Sequence, residues 1–174
     1  MQELRYYVAT SLDGFIARGD GSFDDFVWDD ELVADFMATV GTFSAVLMGR
    51  KTYDVGLREG KTSPYPHLQQ LVFSRSMDNS PDPAVELVRE GAVERVREVK
   101  AQDGDGVWLC GGGELATLCL KAGLIDRLTL KLNPVVFGKG TPLFTERLDV
   151  GALEHTGRRA FESGIVQMEY RLKT

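Results

Sequence analysis

Cysteine and histidine are scarce in this chain. With two of each among 174 residues, it holds neither a disulfide framework nor the ligand set of a zinc site, so no metal is expected. Cys110, at a strand end, and Cys119, on a helix face, read as small buried apolar residues and not as nucleophiles. Basic runs are also missing, and the formal net charge is −6. No nucleic-acid surface is expected, and an anionic ligand would have to meet local cations instead of a global field. No apolar stretch approaches the roughly 20 residues that span a bilayer, and Met1 to Thr10 carry charges without the apolar centre of a signal peptide. A cytoplasmic protein without membrane partners is the expectation. Repeats, low-complexity tracts and linkers are likewise missing, so residues 1–174 are expected to form one domain. A hydrophobic content of 43% is sufficient for a core.

What is present alternates strand with helix. Leu4 to Thr10 reads as a buried strand, followed by Ser11-Leu-Asp-Gly-Phe-Ile-Ala and a polar turn. Asp29 and Asp30 open a helix with Leu32, Val33, Phe36, Met37 and Val40 at helical spacing, ended by Gly41. Residues 45–48 form a second buried strand and 70–73 a third, with 56–69 a loop between them. A short edge strand over 84–89 and a charged helix over 93–101 come next. Val107 leads into a central strand, a glycine run and a helix from Glu114 to Lys121, and residues 126–136 give a long strand. Two last strands, about 152–161 and 165–172, turn at Ser163-Gly164. This pattern predicts an α/β fold with a mainly parallel central sheet, antiparallel C-terminal strands and helices on both faces.

Chemistry is suggested where strands end. Val107-Trp-Leu-Cys-Gly-Gly-Gly-Glu-Leu places three glycines between a strand and a helix. Such a turn lets a ligand approach the main chain, and the helix beyond offers unpaired N–H groups and a positive dipole end to a phosphate. Gly49-Arg-Lys-Thr-Tyr follows the second strand, and its cations oppose the helix dipole unless an anion sits there. Ser74 and Arg75 follow the third. In a parallel sheet such exits share one edge, so the three junctions can serve one extended ligand, with Arg gripping phosphate through its fork. Asp13, beside Gly14 at the end of the first strand, suits a turn and equally a carboxylate at that ligand-binding edge. Asp29 suits a helix cap, and it also shares the face of residues 33, 36 and 40.

Taken together, five segments carry a resemblance. They are Ala9-Thr-Ser-Leu-Asp-Gly-Phe-Ile-Ala, Leu47-Met-Gly-Arg-Lys-Thr-Tyr, Phe73-Ser-Arg, Val107-Trp-Leu-Cys-Gly-Gly-Gly-Glu-Leu, and Asn133-Pro-Val-Val-Phe-Gly-Lys-Gly-Thr-Pro-Leu-Phe. In this order they resemble the dihydrofolate reductase-like superfamily, in the branch similar to the C-terminal reductase domain of bacterial riboflavin biosynthesis. The resemblance implies a three-layer dihydrofolate reductase-like fold, NADPH as cofactor, and commonly a homodimer. It implies that Gly49, Arg50, Lys51 and Thr52 hold the adenosine phosphate and pyrophosphate, with Ser74 and Arg75 beside the adenine ribose. By the same resemblance Gly111, Gly112, Gly113, Glu114 and Leu115 lie under the pyrophosphate. Ala9, Thr10 and Ile16 would then flank the nicotinamide. Two departures go with it: Tyr7 stands where riboflavin-pathway reductases carry a substrate-contacting lysine, and their acidic, proline-containing segment after the second strand is replaced by Asp54-Val-Gly-Leu.

The expected activity is a hydride transfer to a C=N or C=O of a small, pterin- or pyrimidine-like substrate. Asp13, then Asp29, are the candidate proton donors, and Trp28, Tyr53 and Phe144 the candidate pocket walls. The alternative is a dinucleotide-binding module that kept the cofactor cleft without turnover.

Overall fold

Parallel strands need long crossovers, and here helices supply most of them. The computed structural model describes residues 1–147 and 152–172. In chain order it contains β1 (Leu4–Ser11), β2 (Phe15–Ala17), α1 (Asp30–Val40), β3 (Ala45–Gly49) and α2 (Arg50–Arg58). Then come β4 (Gln69–Phe73), β5 (Val85–Val88), α3 (Ala92–Ala101), β6 (Val107–Gly111) and α4 (Gly113–Lys121). The last elements are β7 (Arg127–Asn133), β8 (Thr141–Pro142), β9 (Leu153–Ala160) and β10 (Val166–Leu172). The main sheet has the order β5-β4-β3-β6-β1-β7-β10-β9. Its pairings are parallel from β5 through β7. β10 and β9 close that side as an antiparallel pair.

Side-chain alternation along the strands separates two cores. Tyr6, Leu47, Leu71 and Leu109 bury one face under α3 and α4, against Val96, Val99, Ala116 and Cys119. Tyr7, Val46, Met48, Val72 and Trp108 bury the other, with Val40 of α1 and Tyr53 of α2. Chain order explains the sides. The crossovers through α1 and α2 step one way across the sheet, those through α3 and α4 step back, and right-handed crossovers then place the pairs on opposite faces. β3 and β6, near the centre, are neighbours whose connections leave in opposite directions, that of β3 toward β4 and that of β6 toward β7. Such a switch point opens a crevice at the carboxyl ends of the strands.

Several boundaries differ from the sequence expectation. α2 runs to Arg58, inside the stretch expected to be loop, because Arg50–Asp54 spacing and the buried Tyr53 support the extra turn. β7 stops at Asn133, since Pro134 has no N–H to donate. Val33 and Met37 of α1, expected inward, are 44% and 59% exposed. The two-stranded sheet β2–β8 had no counterpart in the sequence reading. It pairs Phe15 with Pro142 and Ala17 with Thr141, joining the segment after β1 to the glycine-rich loop that follows β7.

Candidate active site

Helix beginnings distinguish one side of the molecule. α1 is capped conventionally, Asp29 accepting a hydrogen bond from Leu32 N at 2.8 Å. α2, α3 and α4 instead begin after Gly49, Gly91 and Gly112, none of which offers a side-chain cap. All three glycines line one long cleft. Their first-turn N–H groups are therefore left for another acceptor, the arrangement that binds anions.

Two of these starts touch. Gly49 and Gly112 end adjacent strands so closely that a Cβ on Gly112 would lie 3.2 Å from Gly49 Cα. Gly112 also has φ +106°, a conformation that side chains resist. Around this floor stand polar groups. Arg50 Nε is 2.7 Å from Asp54 Oδ1, within α2. Ser74 Oγ accepts from Met77 N at 3.1 Å and from Ser76 N at 3.3 Å, fixing the turn after β4. Arg75 and Glu114 approach to 3.7 Å, both highly exposed, so this contact joins two edges of the cleft and contributes little stability.

The other end of the cleft is apolar and aromatic. Trp28, Leu32, Phe36, Tyr65 and Trp108 line it. Tyr65 meets Trp108 edge-on at 4.8 Å, and Phe36 meets Trp108 at 5.7 Å. Trp108 Nε1 donates to the Tyr7 carbonyl at 2.9 Å, which fixes the indole against β1. Cys110, partly exposed here, packs beside Tyr65, and burial pushes its thiol up to about 12. Lys131 of β7 lines the same region, 2.9 Å from Asp35 of α1. Burial raises the Tyr7 hydroxyl, and nearby Lys131 pulls it the other way.

A phosphate-suited floor at a sheet switch point, continuous with an aromatic pocket, is the geometry against which known proteins can be compared. Residues 2–167 match the family described as the RibD C-terminal domain. The chain belongs to that family. It is similar to the uncharacterized protein YwjB of Bacillus subtilis (strain 168), 36% identical over 171 residues that cover 94% of both chains. Among solved structures it resembles a Shewanella sp. PV-4 protein named for riboflavin biosynthesis, with a TM-score of 0.85, 26% identity and full coverage of both chains. Schistosoma mansoni dihydrofolate reductase shares the fold, at a TM-score of 0.67 and 19% identity over 99% of each chain. The fold is dihydrofolate reductase-like, as expected from the sequence.

Within this RibD-type fold the expected cofactor residues come together. Ala9, Ile16, Gly49, Arg50, Lys51, Thr52, Ser74 and Arg75 line the cleft, as do Gly111 to Leu115. Thr10 does not: it is 1% exposed and its hydroxyl donates to the Ser11 carbonyl. Of the expected pocket walls, Trp28 lines the cleft and is 54% exposed. Tyr53 is fully buried, its hydroxyl turned to the Thr62 carbonyl. Phe144 packs edge-on against Tyr6 on the α3–α4 side of the sheet.

Both candidate proton donors have other work. Asp13 accepts from Ser11 Oγ at 2.6 Å, Gly138 N at 2.7 Å and Phe137 N at 3.1 Å. These bonds, the Ser11 hydroxyl first, hold its carboxyl at about 2. At neutral pH Asp13 is ionised and has no proton to give; it fastens the loop after β7 to the turn after β1. Asp29 is occupied as the α1 cap. Sequence reasoning missed Lys131 and Asp35, because a lysine within an alternating strand and an aspartate within a helix each read as solvated positions. The available signal was that Lys131 falls on the strand face shared with Thr129 and Asn133, both buried.

Proposed function

We propose that this chain is an NADPH-dependent reductase of the pyrimidine-reductase kind, acting on a C=O or C=N of a small planar substrate. The observation that carries the reading is the set of three glycine-started helices opening on one cleft whose far end is aromatic. Membership in the RibD C-terminal domain family supports it. The groups present suit the cofactor: main-chain N–H groups at Gly112 and Gly113 for the pyrophosphate, and Arg50, Lys51, Ser74 and Arg75 for a further ribose phosphate. When bound, the dinucleotide supplies the hydride; the protein supplies placement and electrostatics. Ala9 and Ile16 would border its reactive ring, and the aromatic wall would exclude water from the acceptor. A homodimer in the cytoplasm belongs to the same proposal.

Titration of the purified protein with NADPH and NADH, followed by Trp28 and Trp108 fluorescence, tests the reading. Tight NADPH and weaker NADH binding is expected, and binding of neither would overturn it. NADPH oxidation with a panel of pterins, pyrimidinones, imines and carbonyl compounds separates an enzyme from a dinucleotide-binding module.

A further inference from the structure

Buried tyrosine and tryptophan side chains normally give their polar atom a partner. Trp108 Nε1 donates to the Tyr7 carbonyl, Tyr6 OH to the Leu143 carbonyl at 3.2 Å, and Tyr53 OH to the Thr62 carbonyl. Tyr7, whose hydroxyl makes no hydrogen bond of regular geometry, has the Lys131 ammonium beside it. Tyr65 differs from all of these. Among the described residues, the one polar atom its hydroxyl reaches is Cys110 Sγ, at 4.0 Å. A thiol is a weak donor and a weak acceptor, so this contact leaves the phenol O–H free for a better acceptor.

The ring that carries this hydroxyl is nonetheless held firmly. Tyr65 lies between α2 and β4, where its N–H donates to Gln70 Oε1 at 2.9 Å and its carbonyl accepts from Leu68 N at 2.9 Å. Gln70 is 2% exposed and also donates to Ser63 Oγ at 2.6 Å, which fastens the segment a second time. Trp108 meets the ring edge-on at 4.8 Å. A free O–H on a fixed ring is a donor oriented before any ligand arrives. Burial raises the phenol above its ordinary value, so at neutral pH it keeps its proton.

Placement gives this donor its use. Tyr65 and Cys110 both line the cleft, and Cys110 immediately precedes the glycine turn that begins at Gly111. β1 and β6 are neighbours with Tyr6 in register with Leu109. Cys110 therefore shares a face with Tyr7 and, one side chain further along β1, with Ala9. The Tyr65 hydroxyl thus rests where the aromatic end of the cleft joins the glycine floor, near the residue that would border the reactive ring of the dinucleotide.

We propose that Tyr65 OH donates a hydrogen bond to the lone-pair atom of the substrate's reducible C=O or C=N, with the substrate lying flat against the aromatic wall. This rests on the reductase reading above. Hydride from the reduced dinucleotide forms the new C–H bond, and the π pair moves onto the oxygen or nitrogen. The Tyr65 O–H meets the negative charge that grows on that atom. The atom then takes a proton from water, and Tyr65 keeps its own. The products are the alcohol or amine and the oxidised dinucleotide.

The test uses 9-fluorenone and fluorene, planar molecules of the same outline that differ by one carbonyl. Each is titrated into the whole protein without cofactor, followed by tryptophan fluorescence. The wild type should bind fluorenone about 3–10-fold more tightly, the scale of one neutral hydrogen bond. Tyr65→Phe keeps the ring and loses only the hydroxyl; with a wild-type circular dichroism spectrum and unchanged NADPH affinity, it should bind the two alike. Infrared spectra of the bound ketone give a signature that a merely structural role would not move. The carbonyl stretch should lie at lower frequency in the wild type than in Tyr65→Phe. Equal binding of the two probes by the wild type, an unchanged preference in the variant, or the same stretch in both proteins would each overturn the proposal. Failure of the wild type to bind either NADPH or NADH would instead remove the reductase reading, while the fluorenone titration still reports on Tyr65.

Discussion

Gly49 and Gly112 meet main chain to main chain where β3 and β6 leave the sheet, and no side chain fits between them. A Cβ on Gly112 would stand 3.2 Å from Gly49 Cα, with φ at +106°. Gly112→Ala is therefore expected to destabilise the protein by about 1–3 kcal/mol through backbone strain. Gly113→Ala should do at least as much, since its Cβ would collide with the Pro142 carbonyl. Urea unfolding midpoints check both. Dinucleotide affinity should fall with them, because the displaced turn is the proposed pyrophosphate seat.

Arg50 separates binding from folding. Its ion pair with Asp54 is part-exposed and within one helix, worth at most about 0.5 kcal/mol. Arg50→Ala should leave thermal unfolding almost unchanged while reducing the NADPH-over-NADH preference by about 10–100-fold, the scale of one or two charge-assisted contacts. An unchanged ratio in paired titrations would show that the segment after β3 does not hold the ribose phosphate.

Asp13 makes a pH prediction whose sign follows from its depressed pKa. Its carboxyl titrates at about 2 in the folded chain against an ordinary value of 3.8. The stabilisation is present in full above the unfolded value and is lost as pH falls through the folded one. The melting-temperature advantage of the wild type over Asp13→Asn should thus be constant near neutrality and shrink between pH 4 and pH 2. A difference independent of pH across that window would mean that the carboxylate does not clamp Phe137 and Gly138.

The cysteines should be inert in the folded protein. Burial pushes Cys110 and Cys119 each up to about 12, so the reactive thiolate is scarce at pH 8. Mass spectrometry after iodoacetamide treatment should find neither modified under native conditions and both modified in urea. Rapid native labelling of Cys110, which borders the cleft, would contradict the burial that raises its thiol.

Much of this fold was readable without coordinates, because its information is local. The apolar runs at 4–10, 45–48, 70–73 and 107–111 are strands buried on both faces, which is why they lack strict alternation. The glycines that start α2 and α4 announced themselves by composition. So did Arg50 and Lys51 at the start of α2, cations that are unfavourable at a helix N-terminus unless an anion is near. Asp29 as a cap was equally local. By contrast, Tyr53 and Phe144 carry no mark that sends one ring to a buried carbonyl contact and the other to the far side of the sheet. For an aromatic side chain, core and pocket wall have the same sequence signature.

The sequence by itself determined the alternation of elements, the anion-suited strand exits and the family to which the chain belongs. Tertiary structure alone decided which of those polar groups share a space. The meeting of Lys131 with Asp35 spans 96 positions of chain and depends on β7 lying beside β1, under α1. The fate of Asp13 depends on main-chain groups more than 120 residues away. A carboxylate's protonation follows from the donors and charges around it, and those are assembled only when the strands take their order in the sheet.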